Sequence, residues 1–246
     1  MKPLLCLLLL LLTFSLSAQA PEAVPIPKEP HHHLVLENDY VRVFRVSVPP
    51  HESTLLHQHD VPYLYVALGP ADVINAVQGK PEAHLVMADG QLGYSPGHFA
   101  HVARNESNAP FNNVTIELLK PQGEPRNLCG QIASNAANGP CKKSSLSRYL
   151  NIVTEPQLET AEMKLDLVHV DPKAEWRESC RMACLLVVLD NSEVQFEVKG
   201  KPTRTIHGGE TAWLEADSSV AVSNPSEKSS SYFQLYFKEN GANVKP

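Results

Sequence analysis

His57-Gln58-His59 decides the reading of this chain. On an extended strand alternate residues face the same way, so two imidazoles one residue apart share a side and can grip one metal ion. Forty-two residues beyond His59 lies His101, in the stretch Pro96-Gly97-His98-Phe99-Ala100-His101-Val102-Ala103-Arg104-Asn105. That stretch is apolar and follows a Pro-Gly turn, so it reads as a second short strand. An imidazole from it completes a three-ligand set suited to a divalent ion, Fe, Zn, Ni, Cu or Mn, with coordination positions left for water, dioxygen or a substrate oxygen.

Around these histidines the pattern is that of short strands. Residues 44–48, Phe-Arg-Val-Ser-Val, alternate apolar and polar side chains and end at Pro49-Pro50. Residues 63–68, 72–77, 83–88 and 112–119 are similar runs bounded by Gly, Pro or Asp-Gly signals, with no helical period of useful length between them. Such spacing predicts an all-β sandwich or barrel.

Together the two histidine stretches resemble the two signature motifs of the cupin superfamily. The first motif, G-x5-H-x-H-x3,4-E-x6-G, finds His57 and His59, with His51 where its first Gly stands and Tyr63 where its Glu stands. The second, G-x5-P-x-G-x2-H-x3-N, finds Gly90, Pro96, His101 and Asn105, with Gly97 one place early. The resemblance implies a small double-sheet jelly roll with a metal in the barrel mouth, held by His57, His59 and His101. A neutral phenol in place of the glutamate leaves the site nearly its full dipositive charge, which favours anionic ligands. Three-His iron sites without the glutamate resemble those of thiol dioxygenases, which use a nearby Tyr as a hydrogen-bond donor. Tyr63 is the catalytic candidate on that ground, with a core aromatic as its equal alternative. His51, Tyr65 and His98 are candidate surrounding groups, each read as structural first.

The second half repeats the first. Residues 64–81 laid on 185–202 without a gap give eight identities in eighteen positions, ending in Gly79-Lys80-Pro81 against Gly200-Lys201-Pro202. After a two-residue deletion Tyr94 falls opposite Trp213 and Asn105 opposite Asn224. The expected architecture is two jelly-roll (cupin) barrels in tandem: a metal-bearing barrel over 34–121, a linker over 122–161 and a degenerate barrel over 162–246. In the degenerate copy His57 becomes Glu178, His59 becomes Cys180, Tyr63 becomes Cys184 and His101 becomes Val220, so that barrel reads as a structural, dimer-like partner. The linker is rich in Gly, Asn, Ser and Pro, with room for a helical turn over 156–163 and nothing longer. It carries Cys129 and Cys141, where a disulfide is worth about 3 kcal/mol by the loop-closure estimate. Cys180 and Cys184 should lie within a few ångströms of each other, with a second disulfide preferred over free thiols or a soft-metal site.

The first twenty residues read as a signal peptide: Lys2, an apolar run over 4–12, and Ala18-Gln19-Ala20 as a small-x-small cleavage site. Thr13, Ser15, Ser17 and Gln19 break the run before it reaches membrane-spanning length. A secreted or periplasmic protein is expected, and four cysteines, an even number, remain for an oxidising compartment. Residues 21–33 read as a Pro-rich lead-in, with His31-His32-His33 solvated rather than ligating.

With 246 residues and 43% apolar content the chain can bury one or two ordinary cores. A net charge of -6 with scattered Lys and Arg offers no basic face, which excludes nucleic acid as a partner. Two function classes remain. One is a metal-dependent oxygenase or oxidoreductase acting on a small anionic compound; the other is a non-catalytic exported module that binds a metal or small ligand. Either is expected as a monomer or homodimer.

Overall fold

A computed structural model of the chain describes residues 22–134, 136–139, 141, 147–149 and 151–238. The signal peptide read over 1–20 lies outside them. Among the described residues no helix is long and apolar enough to cross a membrane.

The chain folds as two double-sheet barrels in tandem. In the first, one sheet runs in the order Val24–Pro25, His57–His59, Phe99–Asn105, Ala71–Val77, Ala83–Met87. The facing sheet runs His32–Glu37, Val41–Val48, Phe111–Leu118, Tyr63–Ala67, Leu92–Ser95. The second barrel repeats this with Glu175–Cys180, Ser218–Ser223, Glu193–Val198 and Arg204–His207 in one sheet. Its other sheet has Ile152–Glu159, Met163–Val170, Ser230–Phe237, Cys184–Val188 and Thr211–Leu214 as its body.

Period-2 alternation explains both the barrels and their union. Along Val41–Val48, Phe44, Val46 and Val48 face the first barrel's interior cluster, whereas Val41 and Val43 face outward. The outward set does not meet water. Val41, Val43, Leu64, Val66, Val114 and Ile116 pack against Leu165, Leu185, Val187, Phe233 and Leu235 of the second barrel in one continuous core. Each such buried side chain contributes about 1.5–3 kcal/mol, so the second barrel covers a face the first could not leave exposed.

Strand register reproduces the internal repeat. His57 stands directly opposite His101, and in the second barrel Glu178 stands opposite Val220. Asn105 and Asn224 make the same bonds: each Nδ2 donates to three backbone carbonyls, and each Oδ1 accepts from a serine two residues on. The second barrel's interior is filled by Cys180, Cys184, Val194, Phe196, Val220 and Tyr232.

Three expectations need correction. The lead-in is part of the barrel: Val24–Pro25 pairs in parallel with His57-Gln58, Ile26–Lys28 forms one 3-10 turn, and Ile26 and Glu29 are buried. Proline restrains these residues to extended and turn backbone, which an edge strand accepts. The linker is also folded, because Ile152–Glu159 is a strand of the large sheet and no helical turn occurs over 156–163. Pro156 sits where the register shifts, at a bulge that tolerates a missing N–H, and Leu158 is fully buried. Lastly, Cys129 and Cys141 form a disulfide as expected, whereas the sulfurs of Cys180 and Cys184 lie 3.2 Å apart in a thiol contact rather than a bond. The vestigial ligand positions do converge, but the space is closed by packing rather than by a bridge.

Candidate metal centre

His57 and His59 point inward from the strand His57–His59 while Gln58 between them is half-buried. His101 reaches the same point from the neighbouring strand as the cross-strand partner of His57. Ring centroids lie 4.4 Å apart for His57 and His101, and 5.1 Å apart for His59 with either of the others. Each orientation has a cause. His57 Nδ1 lies 2.9 Å from the Leu55 carbonyl and His101 Nδ1 2.6 Å from Asn75 Oδ1. Both acceptors place the ring proton on Nδ1 and leave Nε2 as a lone pair. The Nε2 atoms of His57 and His101, and Nδ1 of His59, are buried without a hydrogen-bond partner. A buried acceptor left unpaired costs about 1–3 kcal/mol, and three imidazole rings gathered at one point are the donor set a divalent ion takes, with His59 Nδ1 lying 3.9 Å from the buried Glu117 carboxylate. The residues therefore fit a metal.

Burial makes them neutral. It pushes His57 down to about 4, with the neighbouring His32 adding to the effect. Burial likewise takes His101 down to about 3 and His59 to about 2, helped by their histidine neighbours. In an unfolded chain each titrates near 6.5, so below that pH the unfolded state binds more protons than the folded one. Stability of the metal-free protein should be intact above pH 6.5 and fall as the pH drops toward 4, each histidine costing about 1.4 kcal/mol per pH unit in that window. Urea unfolding at pH 7.5, 6 and 5 measures this, and a flat profile would contradict neutral, buried imidazoles.

The cluster sits in the wall of a cavity of about 610 Å³ inside the first barrel. Val46, Val73, Leu85, Met87, Phe99 and Phe111 give it an apolar side, while Asn113 and Thr115 project from the strand Phe111–Leu118. Gly123, Glu124, Pro125, Ser134 and Ala136 also line it, so the disulfide-bearing segment closes one side. Tyr63 is buried, with its ring stacked on His59 at 4.0 Å and 19°. Burial pushes its hydroxyl well above the usual phenol range, against the pull of a hydrogen bond with Ser95, so it stays a protonated donor.

At the level of sequence, no protein-family model and no curated protein matches the chain. Solved structures do. AerE from Microcystis aeruginosa superposes with a TM-score of 0.57 at 9% identity, over 86% of this chain and 99% of that one. A cupin 2 conserved barrel domain protein from Leptotrichia buccalis gives 0.53 at 11%, over 84% and 88%. Salicylate 1,2-dioxygenase from Pseudaminobacter salicylatoxidans gives 0.54 at 11%, over 80% and 71%. This chain has the cupin fold.

Within that cupin frame the departures from the motifs acquire reasons. Gly97 has φ +72°, and a Cβ there would strike the Val61 carbonyl, so glycine is required where it stands. His98 follows at φ +62° and donates its N–H to the His59 carbonyl at 2.6 Å, which ties one histidine stretch to the other. The His51 and His98 side chains are exposed and line no part of the cavity, whereas Tyr65 does line it.

Sequence reasoning missed His32. Its ring lies 4.7 Å from that of His57, and one nitrogen from each of His32, His57 and His59 falls within 4.8 Å of the others. Of the three consecutive histidines only this one turns inward, because neighbours on a strand alternate; the His31 ring binds the Ser47 carbonyl and His33 is exposed. The available signal was Glu29, three residues earlier, whose buried carboxylate holds His32 Nδ1 at 2.6 Å. Asn75 was missed as well, since nothing in its local sequence marks it as the partner of His101.

Proposed function

We propose that this is an exported cupin-fold protein whose first barrel binds a divalent metal ion through His57, His59 and His101. On this reading it acts as a metal-dependent oxygenase or related oxidoreductase on a small anionic compound. The observation that carries the reading is the convergence of buried, neutral imidazoles with unpartnered nitrogens on a cavity of small-molecule size. Such an ion, when bound, supplies Lewis acidity, and a redox-active one adds electron transfer.

The chain's own residues select and hold the ligand. Among the described residues the cavity lining contains no Lys or Arg, so an anionic group finds its positive partner only at an ion held by the neutral histidine cluster. That fixes which end of the ligand meets the site. The apolar wall excludes water, Asn113 and Thr115 offer hydrogen bonds, and the Tyr63 hydroxyl is available as a donor. The salicylate dioxygenase among the structural neighbours is known with gentisate, which supports a small organic anion here. The Cys129–Cys141 disulfide supports an oxidising compartment, and the barrel-to-barrel core supports a monomer as a sufficient unit, with a homodimer as the alternative.

One observation favours a non-catalytic binding module instead. Burial drives the histidines down and Tyr63 and Tyr65 up, away from the range in which a general acid or base works. Metal analysis of protein purified from its native compartment, with dioxygen uptake in the presence of small aromatic and thiol acids, separates the two. Stoichiometric iron or copper with uptake is expected. Zinc without uptake would move the assignment to the module, and absence of any metal would overturn the site.

A further inference from the structure

Glu29 is 1% exposed and accepts three hydrogen bonds: from the His31 N–H at 2.9 Å, the Leu55 N–H at 3.1 Å and His32 Nδ1 at 2.6 Å. With its proton on Nδ1 toward this carboxylate, His32 keeps the Nε2 lone pair. A carboxylate behind an imidazole fixes the tautomer and raises the basicity of a metal-ligating histidine. The ring is itself nearly buried, lines the cavity and offers a nitrogen that, with one each from His57 and His59, makes a group within 4.8 Å of one another. His59 has Tyr63 stacked on its ring face and the buried Glu117 carboxylate 3.9 Å from its Nδ1.

We infer that His32 is a fourth imidazole ligand of the metal, oriented by Glu29, so that the N-terminal arm from Val24 to His33 is fastened across the site by the ion itself. The inference rests on the metal reading proposed above and extends it. The arm already runs along the ligand strand, with Val24 paired to His57 and the Val24 N–H bonded to the Leu56 carbonyl. Its first part is lightly held, Val24–Pro25 being two residues long and Ile26 its one buried large apolar side chain, while its last part is tied down by Glu29 on the Leu55 N–H, by His31 against Ser47 and by pairing of His32 and His33 with Val46 and Arg45. Metal binding and arm docking are therefore linked, each strengthening the other by the same factor.

Titration of the chelator-stripped full-length protein with Co2+ and Zn2+ tests this, alongside hydrogen exchange of the arm amides. His32→Asn keeps a donor for Glu29 while removing Nε2, so the arm's own contacts survive; His32→Ala is the second variant and exposed His33→Ala the control. His32→Asn should weaken Co2+ affinity by about 100-fold and change its visible absorption, and Glu29→Gln should weaken it about 10–100-fold. In the wild type the metal should slow exchange over residues 24–33 by at least tenfold, and in His32→Asn it should not. If His57→Ala abolishes binding while both His32 variants bind Co2+ like wild type with unchanged spectrum and arm exchange, the fourth-ligand assignment is overturned and the three-histidine site stands. If His57→Ala also binds like wild type, the metal reading itself falls.

Discussion

Replacing any one of His57, His59 or His101 by alanine should drop the metal content of the purified protein from about one equivalent to below about a tenth, with the fold retained. A site of few protein ligands loses most of its affinity with the first one removed, because the remaining donors cannot hold the ion against water. The three should therefore behave as a unit, and a double variant should lose nothing measurable beyond either single one. Stability should respond differently from metal content. His57→Ala removes a buried imidazole whose Nε2 has no partner, which offsets part of the cavity left behind. His101→Ala strips Asn75 Oδ1 of its 2.6 Å partner just as His57→Ala strips the Leu55 carbonyl of its 2.9 Å one, and both rings carry an unpartnered Nε2, so the two should destabilise the metal-free protein to a similar degree. Elemental analysis and circular dichroism on the same samples measure both. Folded variants that keep wild-type metal at all three positions would remove these residues from the site.

Much of this was legible because two periodicities coincide. The alternation in His57-Gln58-His59 places two imidazoles on one side, and the register of the barrel delivers His101 opposite the first of them. The repeat was legible because outward strand faces stay apolar when they are covered: Leu64, Val66 and Leu68 match Leu185, Val187 and Leu189 in kind because both sets lie in or against the core between the barrels. What the sequence hid was non-local. His32 reaches the cluster from the facing sheet, in a proline-rich stretch whose composition resembles solvated chain, and only Glu29 buried behind it distinguishes it from His31 and His33. Ile152–Glu159 was hidden by Pro156 and by the polar residues around it. Burial of Ile152 and Leu158 overrides that local preference.

The repeat also makes a quantitative expectation about stability. Asn105 Nδ2 donates to the carbonyls of Val48 at 3.1 Å, Pro49 at 3.1 Å and Ala109 at 2.8 Å, and its Oδ1 accepts from the Ser107 N–H at 3.0 Å and hydroxyl at 2.8 Å. Asn224 does the same with Val170 at 3.1 Å, Asp171 at 3.2 Å, Lys228 at 2.7 Å and both groups of Ser226. Both side chains are 1% exposed. Alanine at either position orphans several groups at once, and with about 1–3 kcal/mol for each that stays dry, the loss should be about 3–5 kcal/mol. Aspartate should do no better, since it keeps the serine bonds but turns a carboxylate on the three carbonyls. The two sites should differ in one respect. Asn105 ends the strand that carries His101, so Asn105→Ala should weaken metal binding as well, whereas Asn224→Ala should leave the metal stoichiometry at wild type. Because the barrels share one core, both variants should unfold in a single transition rather than in two. Urea unfolding followed at two wavelengths, with metal analysis of the folded samples, tests all of this. Loss of less than about 1 kcal/mol in Asn224→Ala would show that the second clamp is idle and the second barrel is held by apolar packing alone.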